Sequence, residues 1–99
     1  PIMALGGKGV ISVLANLCPE VTAELTAACL RGDYETAASM QTRYMALIDA
    51  LFCEVNPIPV KTAMNLMGLG VGPLRMPLCQ LDDGKKEQLI SALHQKNFI

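Results

Sequence analysis

The chain has 99 residues, and only one short stretch of it has the composition of a β-strand. Residues 10–14 (VISVL) are apolar except for Ser12, and Gly6, Gly7 and Gly9 precede them. A continuous run of β-branched and other apolar residues is typical of a strand that is covered on both faces, as in a parallel sheet. We therefore predict a strand at residues 10–13. A single strand cannot form a sheet, so its hydrogen-bonding partners have to be found.

The sequence around this strand predicts two helices. Residues 1–5 are typical of the end of a helix, which Gly6 and Gly7 would stop. After the strand, Pro19–Leu30 carries apolar side chains at three- and four-residue spacing, and Pro19 suits the first helical position. The order helix end, glycine turn, buried strand, helix is one βα unit of a parallel sheet. We expect the partner strands to lie upstream of Pro1.

The remainder of the chain is expected to be helical. Asp33 is a suitable cap for a helix from Tyr34 to about Val55, whose wide apolar stripe indicates burial on more than one side. Asn56 and Ile58 each precede a proline and are expected to be extended, so a third helix should begin at Pro59 and end at Gly68.

The last part of the chain predicts a loop and one more helix. Residues 69–81 are rich in glycine and proline and have no periodicity, which indicates an ordered loop. Asp82 or Asp83 is expected to cap a final helix. Its inward residues should be Leu89, Ile90 and Leu93, and its residues in water Lys85, Lys86 and Glu87.

Composition excludes several classes of function. Hydrophobic residues make up 52% of the chain and charged residues 17%, with a net charge of −1 and no block of like charges. Nucleic-acid and membrane partners are therefore not expected, and the surplus of apolar residues indicates contact with another domain or subunit. We find no stretch of transmembrane length and no signal peptide, and we expect a cytoplasmic protein.

The four cysteines are widely spaced and do not form a zinc pattern with the single histidine, His94. We expect them to be reduced and buried, and we expect no metal and no cofactor. His94 is expected to lie at the surface.

Three strings together indicate a family. GGKGVISVLAN (6–16), LFCEVNPIPVK (51–61) and LRMPLCQLDD (74–83) resemble the C-terminal third of the dihydrodipicolinate synthase family, over the whole chain. The resemblance implies an α/β fold: a (β/α)8 TIM barrel followed by a mostly α-helical C-terminal domain. Residues 1–31 would be the end of helix 7, strand 8 and helix 8, and residues 32–99 the C-terminal helical domain.

The resemblance also implies a reaction and a partner set. The family condenses pyruvate with aspartate semialdehyde through a Schiff base on a lysine, in lysine biosynthesis, and is commonly a homotetramer. Its Schiff-base lysine, catalytic tyrosines and carboxylate-binding arginine match no residue of this chain, so no catalytic residue is expected here and the missing N-terminal barrel is an expected partner. Alternatives are an N-acetylneuraminate lyase or another pyruvate-dependent aldolase, and a non-enzymatic helical interaction module.

Three residues are implied as substrate-binding. Ile11 matches the position whose backbone carbonyl faces pyruvate; the alternative is a core isoleucine. Asn56 and Phe52 match positions at the mouth of the active site. Asn56 could instead cap a helix, and Phe52 could instead be a packing residue.

Three charged residues near these strings are expected to have structural roles. We expect Glu54 to form a salt bridge or a helix-end hydrogen bond. Lys61 is expected to be solvated or ion-paired, and Arg75 to hold its loop to a carbonyl or carboxylate.

Overall fold

A computed structural model describes residues 1–99 and contains four α-helices, one short 3-10 helix and no β-strand. The elements are a 3-10 helix (Leu14–Asn16), α1 (Pro19–Leu30), α2 (Tyr34–Leu51), α3 (Ile58–Leu66) and α4 (Asp83–Gln95). The chain divides into two compact units, Pro1–Met45 and Ala46–Ile99, with the division inside α2. None of the helices combines the length and the apolar character that crossing a membrane requires.

The strand predicted at residues 10–13 is absent from this chain. Val13 has helical dihedral angles (φ −65°, ψ −41°), and Leu14 begins the 3-10 helix. Residues 8–12 make no backbone–backbone hydrogen bond, either as donors or as acceptors. A strand is defined by its ladder, and these 99 residues supply no second strand with which one could form. The composition indicated a strand, but the chain lacks its partners.

The first unit confirms the predicted α1, and in place of the predicted helix end it has one hydrogen-bonded turn. Residues 1–6 form a single helical turn, in which the Leu5 amide donates to the Pro1 carbonyl at 3.2 Å. Gly6, at φ +103°, ends this turn, and such an angle is available to glycine without a steric penalty. α1 has the bounds that its periodicity predicted, with Pro19 in its first turn.

A fixed corner joins α1 to α2. Gly32 has φ +80°, its amide donates to the Cys29 carbonyl, and the Asp33 amide donates to the Ala28 carbonyl at 2.8 Å. These two bonds form a Schellman motif. The Asp33 carboxylate then accepts a hydrogen bond from the Thr36 amide at 3.1 Å, which confirms the predicted cap of α2.

Two glycine substitutions are expected to act in opposite directions. Gly32→Ala should lower the free energy of unfolding by about 1–2 kcal/mol, because an alanine at positive φ is strained. Gly84→Ala should raise it by about 0.5–1 kcal/mol, because Gly84 lies in the first turn of α4 and an added Cβ would be 3.4 Å from the nearest atom. Urea unfolding of each variant measures the change in the free energy of unfolding. Changes of the same sign in the two variants would contradict the assignment of the Gly32 corner.

α2 ends at Leu51, four residues before the predicted end. Its last turn tightens, because the Phe52 amide donates to the Asp49 carbonyl and the Cys53 amide to the Ala50 carbonyl. The expectation of burial on more than one side is wrong for this chain, since Tyr34 and Met45 are exposed. A wide apolar stripe shows what a helix could cover, but the 99 residues leave part of it uncovered.

In the second unit α3 packs against α4. The fully buried side chains of this unit are those of Leu47, Leu51, Pro59, Leu89 and Leu93. Ile90 is half-buried, so its predicted inward position is confirmed only in part.

The predicted extended conformation of Ile58 is wrong, because α3 begins at Ile58 rather than at Pro59. The Ile58 amide donates to the Val55 carbonyl at 2.9 Å, and the Ile58 side chain is buried. Pro59 occupies the first turn, where its missing N–H removes no helical hydrogen bond. These contacts outweigh the local preference of a residue that precedes proline.

Residues 69–81 contain no helix or strand, as predicted, and α4 follows them. Of the two candidate caps, Asp82 is the one that acts: its carboxylate accepts from the Lys85 amide at 3.1 Å. α4 also ends in a Schellman motif. Here Asn97, in place of a glycine, has the positive φ (+58°), and the Phe98 amide donates to the Leu93 carbonyl.

Candidate functional site

Residues 8–12 form what we call the open segment, which carries Ile11. The Ile11 side chain is completely exposed, and its backbone N–H and C=O have no partner within the chain. The segment is tied at its end, because the Ser12 hydroxyl accepts a hydrogen bond from the Ala15 amide at 3.2 Å. Ile11 does not lie in a core within these 99 residues, which was the alternative role for this residue. Its carbonyl is available, and its role toward pyruvate stays a prediction.

Residues 52–57 form the α2–α3 connection, which carries the other two predicted site residues. Asn56 does not cap α3: Pro57 is the residue at the cap position, and no side chain makes a capping bond there. The capping alternative for Asn56 is therefore wrong, and its amide makes no hydrogen bond in the chain. Phe52 is 56% exposed, so the expected packing role is also not fulfilled within this chain. Both side chains are free to contact another molecule or segment.

The structure places these residues in different units. Ile11 lies in the unit Pro1–Met45, whereas Phe52 and Asn56 lie together in Ala46–Ile99. Neither unit brings together three or more His, Cys, Asp or Glu side chains that could hold a metal ion.

Glu54 lies in the same connection and uses both of its carboxylate oxygens. Oε1 accepts from the Val55 amide at 3.0 Å, and Oε2 pairs with the Lys85 ammonium of α4. The predicted salt bridge of Glu54 is thus confirmed, and Lys85, expected to stand in water, is 37% exposed and also paired. Lys85 also lies 3.9 Å from the Asp82 carboxylate.

These contacts shift two pKa values in opposite directions. The hydrogen bond from Lys85, then the Val55 amide and the charge of Lys85, lower the pKa of Glu54. The hydrogen bond to Glu54 raises the pKa of Lys85, and the nearby carboxylates add to this. Each charged form is therefore favoured by the folded state, and the pair is formed throughout the neutral range.

The lowered pKa of Glu54 makes an acid-dependent contribution to stability. It is fully present above the carboxyl's usual value of 4.5 and is lost as the pH falls through the lowered folded-state value. In unfolding measurements at a series of pH values, Glu54→Gln should lose stability less steeply below pH 4.5 than the unmodified protein. Identical slopes for the two proteins would contradict the ion pair. The contribution of Lys85 is also stabilising but has the opposite pH dependence: it is fully present below the usual pKa of 10.5 and is lost as the pH rises through the raised pKa.

One face of α3 holds the following loop, which the sequence did not predict. The Lys61 ammonium donates to the Pro73 carbonyl at 2.7 Å, and the side-chain amide of Asn65 donates to the Gly72 carbonyl at 2.9 Å. The side chain of Arg75, which was predicted to hold this loop, makes no hydrogen bond or ion pair, so that prediction is wrong. Four-residue spacing places Lys61 and Asn65 on one helix face, and this was the signal that could have revealed them.

An open cavity of about 440 Å³ lies between α3, the loop and the first turn of α4. Its polar lining includes Lys61, Thr62, Asn65, Cys79 and Lys86. Three of these groups already have hydrogen-bond partners. Lys61 and Asn65 donate to the loop carbonyls, and Thr62 donates to the Ile58 carbonyl at 2.8 Å. No hydrogen bond joins Cys79 to a basic side chain of this lining, and Lys61 and Asn65 hold the loop.

All four cysteines are free, and only Cys18 is buried as predicted. Burial, followed by the charge of Glu20, raises the pKa of the Cys18 thiol from 9.0 to about 11. The thiol lies 3.7 Å from the Leu14 carbonyl, to which it donates. Cys29 and Cys53 are half-buried and Cys79 is exposed, so the expectation of burial is wrong for Cys79.

The cysteines are expected to react with iodoacetamide in the order of their exposure. Cys79 should be alkylated first and Cys18 last, because a pKa raised by two units lowers the thiolate fraction about a hundredfold. Mass spectrometry of timed samples of the folded protein measures the order. Cys79→Ser should remove the fast phase, and early labelling of Cys18 would contradict its burial.

Comparison with known proteins identifies close relatives over the whole chain. Residues 1–96 match the family model described as the dihydrodipicolinate synthetase family. A 4-hydroxy-tetrahydrodipicolinate synthase of Thermoanaerobacter sp. (strain X514) is 58% identical over 99 residues, which is all of this chain and 33% of the relative. The chain thus spans about a third of the length of the curated relatives it matches.

Solved structures agree with this comparison. A crystal structure of a dihydrodipicolinate synthase superposes with a TM-score of 0.98 at 46% identity, covering 100% of this chain and 34% of that one. The chloride-inhibited dihydrodipicolinate synthase of Acinetobacter baumannii, solved in complex with pyruvate, superposes with a TM-score of 0.93 at 39% identity. The superposition with this relative covers 99% of the present chain and 34% of the relative.

Proposed function

The chain belongs to the dihydrodipicolinate synthetase family, and we propose that it forms the C-terminal part of a synthase that condenses pyruvate with aspartate semialdehyde. The reaction proceeds through a Schiff base on a lysine outside these residues and serves lysine biosynthesis through diaminopimelate. The observation that carries the proposal is the 58% identity to a named synthase over all 99 residues. The pyruvate bound by the Acinetobacter baumannii relative supports the first substrate.

We assign the open segment to the eighth strand of a (β/α)8 barrel. Residues 8–12 have backbone groups without partners, and burying such groups unpaired costs about 1–3 kcal/mol each. Pairing with strands of the same full-length chain satisfies them. Residues 1–31 then end the barrel and residues 32–99 form the helical domain.

We assign Ile11, Asn56 and Phe52 to substrate binding. Active sites of such barrels lie at the carboxyl ends of the strands, and the open segment ends at the Ser12 tie to the 3-10 helix. A backbone carbonyl at Ile11 orients an amine or an acidic proton without adding a charge. The unpaired Asn56 amide can hydrogen-bond the second substrate, and the exposed Phe52 ring can close the entrance.

The reaction is tested on the full-length synthase. Borohydride should trap a pyruvate adduct on one lysine, and aspartate semialdehyde should then be turned over in the presence of pyruvate. Absence of trapping would overturn the Schiff-base mechanism. Cleavage of N-acetylneuraminate in place of turnover with aspartate semialdehyde would assign the chain to the lyase branch instead.

Asn56→Ala is expected to raise the KM for aspartate semialdehyde about five- to thirtyfold, because a lost substrate hydrogen bond is worth about 1–2 kcal/mol. Pyruvate trapping should be unchanged. Gln88→Ala, which removes an exposed amide from α4, is the matched control and should leave both constants unchanged. An unchanged KM in Asn56→Ala would remove this residue from the site.

We further propose a cytoplasmic homo-oligomer, a tetramer as in the family, without nucleic-acid or membrane partners. The chain exposes many large apolar side chains, more than isolated surface residues account for: Ile2, Leu5, Val10, Ile11, Leu30, Tyr34, Met45, Phe52, Val55, Leu69 and Met76. Contacts with the barrel and with other subunits would cover them. Sedimentation equilibrium of the full-length protein measures the assembly, and a mass of one subunit would contradict it.

A further inference from the structure

We propose that the Glu54–Lys85 ion pair is a positioning device: it holds the α2–α3 connection, and through it Asn56 and Phe52, in the place where they meet the second substrate. This inference rests on the proposed function and deepens it, because it names what controls that part of the site. Neither Glu54 nor Lys85 touches substrate in this proposal.

One side chain of the connection forms a hydrogen bond or ion pair with another element. The backbone bonds of residues 52–57 reach only the adjoining helices: the Phe52 and Cys53 amides donate to α2, and the Val55 and Pro57 carbonyls accept from α3. The Asn56 amide and the Phe52 ring hold nothing in place themselves. Glu54 is the side chain of this connection that forms an ion pair with α4, and its other carboxylate oxygen accepts from the amide of Val55.

Lys85, at the other end of the ion pair, lies on a helix that is well fixed. Lys85 is the third residue of α4, and its backbone amide is held by the Asp82 cap at 3.1 Å. α4 is fixed in turn by the fully buried side chains of Leu89 and Leu93 and by its packing on α3. The ion pair therefore connects a short, irregular segment to a helix whose position the core determines.

The exposure of the ion pair indicates that it affects the position of the connection more than the stability of the fold. The side chains of Glu54 and Lys85 are each 37% exposed, and ion pairs in contact with water contribute little to global stability. Breaking this one should leave the fold intact and release the connection. Small displacements of binding groups have large effects on substrate recognition, so the loss should appear in the reaction with the second substrate.

The experiment compares four variants of the full-length synthase with the unmodified enzyme. Lys85→Met and Glu54→Gln should each raise the KM for aspartate semialdehyde about three- to tenfold, with kcat nearly unchanged. Pyruvate trapping by borohydride should be unchanged, and the melting temperature should fall only slightly, because exposed ion pairs contribute little to stability. Lys85→Arg keeps the donor and should restore the KM, and Lys86→Met, which removes the neighbouring exposed lysine, should have no effect.

The double variant Glu54→Gln/Lys85→Met is expected to have the KM of either single variant, since both changes remove the same interaction. Multiplied effects in the double variant would overturn the proposal. So would equal effects of Lys85→Met and Lys86→Met, which would indicate surface charge alone, or a lowered melting temperature with an unchanged KM. If trapping succeeds and the KM does not move, only this inference fails; if the unmodified enzyme traps no pyruvate, the proposed function fails first.

Discussion

Replacing Ile11 with proline in the full-length synthase is expected to abolish soluble folding, although no contact seen within the 99 residues would be lost. The Ile11 amide donates no hydrogen bond here, and the side chain is fully exposed. In the proposed barrel the same amide lies in a central strand. Proline removes that donor and is excluded from the middle of a sheet, so a ladder bond and its buried partner are both lost.

The substitution separates two descriptions of the open segment. If it is a barrel strand, Ile11→Pro should yield insoluble or unfolded protein, measured by circular dichroism and soluble yield. Ile11→Val keeps the amide and the β-branched side chain and is the control, expected to fold. A soluble, fully active Ile11→Pro enzyme would show that residues 8–12 remain unpaired in the complete protein, and the barrel assignment would be wrong.

Leu93→Ala is expected to lower the free energy of unfolding by about 2–5 kcal/mol. Leu93 is 0% exposed, so its truncation leaves a cavity in the core of the second unit. Its carbonyl also accepts the Phe98 amide at 3.1 Å, so disturbance of its backbone reaches the end of the helix.

Denaturant unfolding of the full-length protein measures this effect. Ser91→Ala, at an exposed position two residues earlier on the same helix, should change the free energy of unfolding by no more than about 0.5 kcal/mol. A change of similar size in both variants would show that Leu93 is not part of a packed core.

The helices were the most predictable part of the fold. α1 has the predicted bounds, and Asp33 and Asp82 cap α2 and α4 as their positions indicated. These features depend on contacts within four residues, which a sequence pattern contains directly. The start of α3 was missed by one residue, because a bond from Ile58 to Val55 and the burial of Ile58 outweigh the effect of the following proline.

The candidate site was predicted only in part. The resemblance supplied Ile11, Asn56 and Phe52, and the structure adds that the Asn56 amide caps no helix. The tie between Glu54 and Lys85 could not be read from the sequence, since 31 positions separate the two residues. The bonds from Lys61 and Asn65 to the loop were not predicted, because their acceptors are backbone carbonyls of an irregular segment, although the spacing of the two donors places them on one helix face.

The sequence by itself determined much of the local structure of this protein: which segments are helical, which aspartates cap them, which glycines turn the chain, and which family it resembles. The tertiary structure decided which charged groups pair, which cysteines are buried and whether residues 10–13 form a strand. The physical reason is the range of the interactions. Helical hydrogen bonds and caps join residues a few positions apart, whereas ladders, ion pairs and burial depend on segments that are distant in the chain.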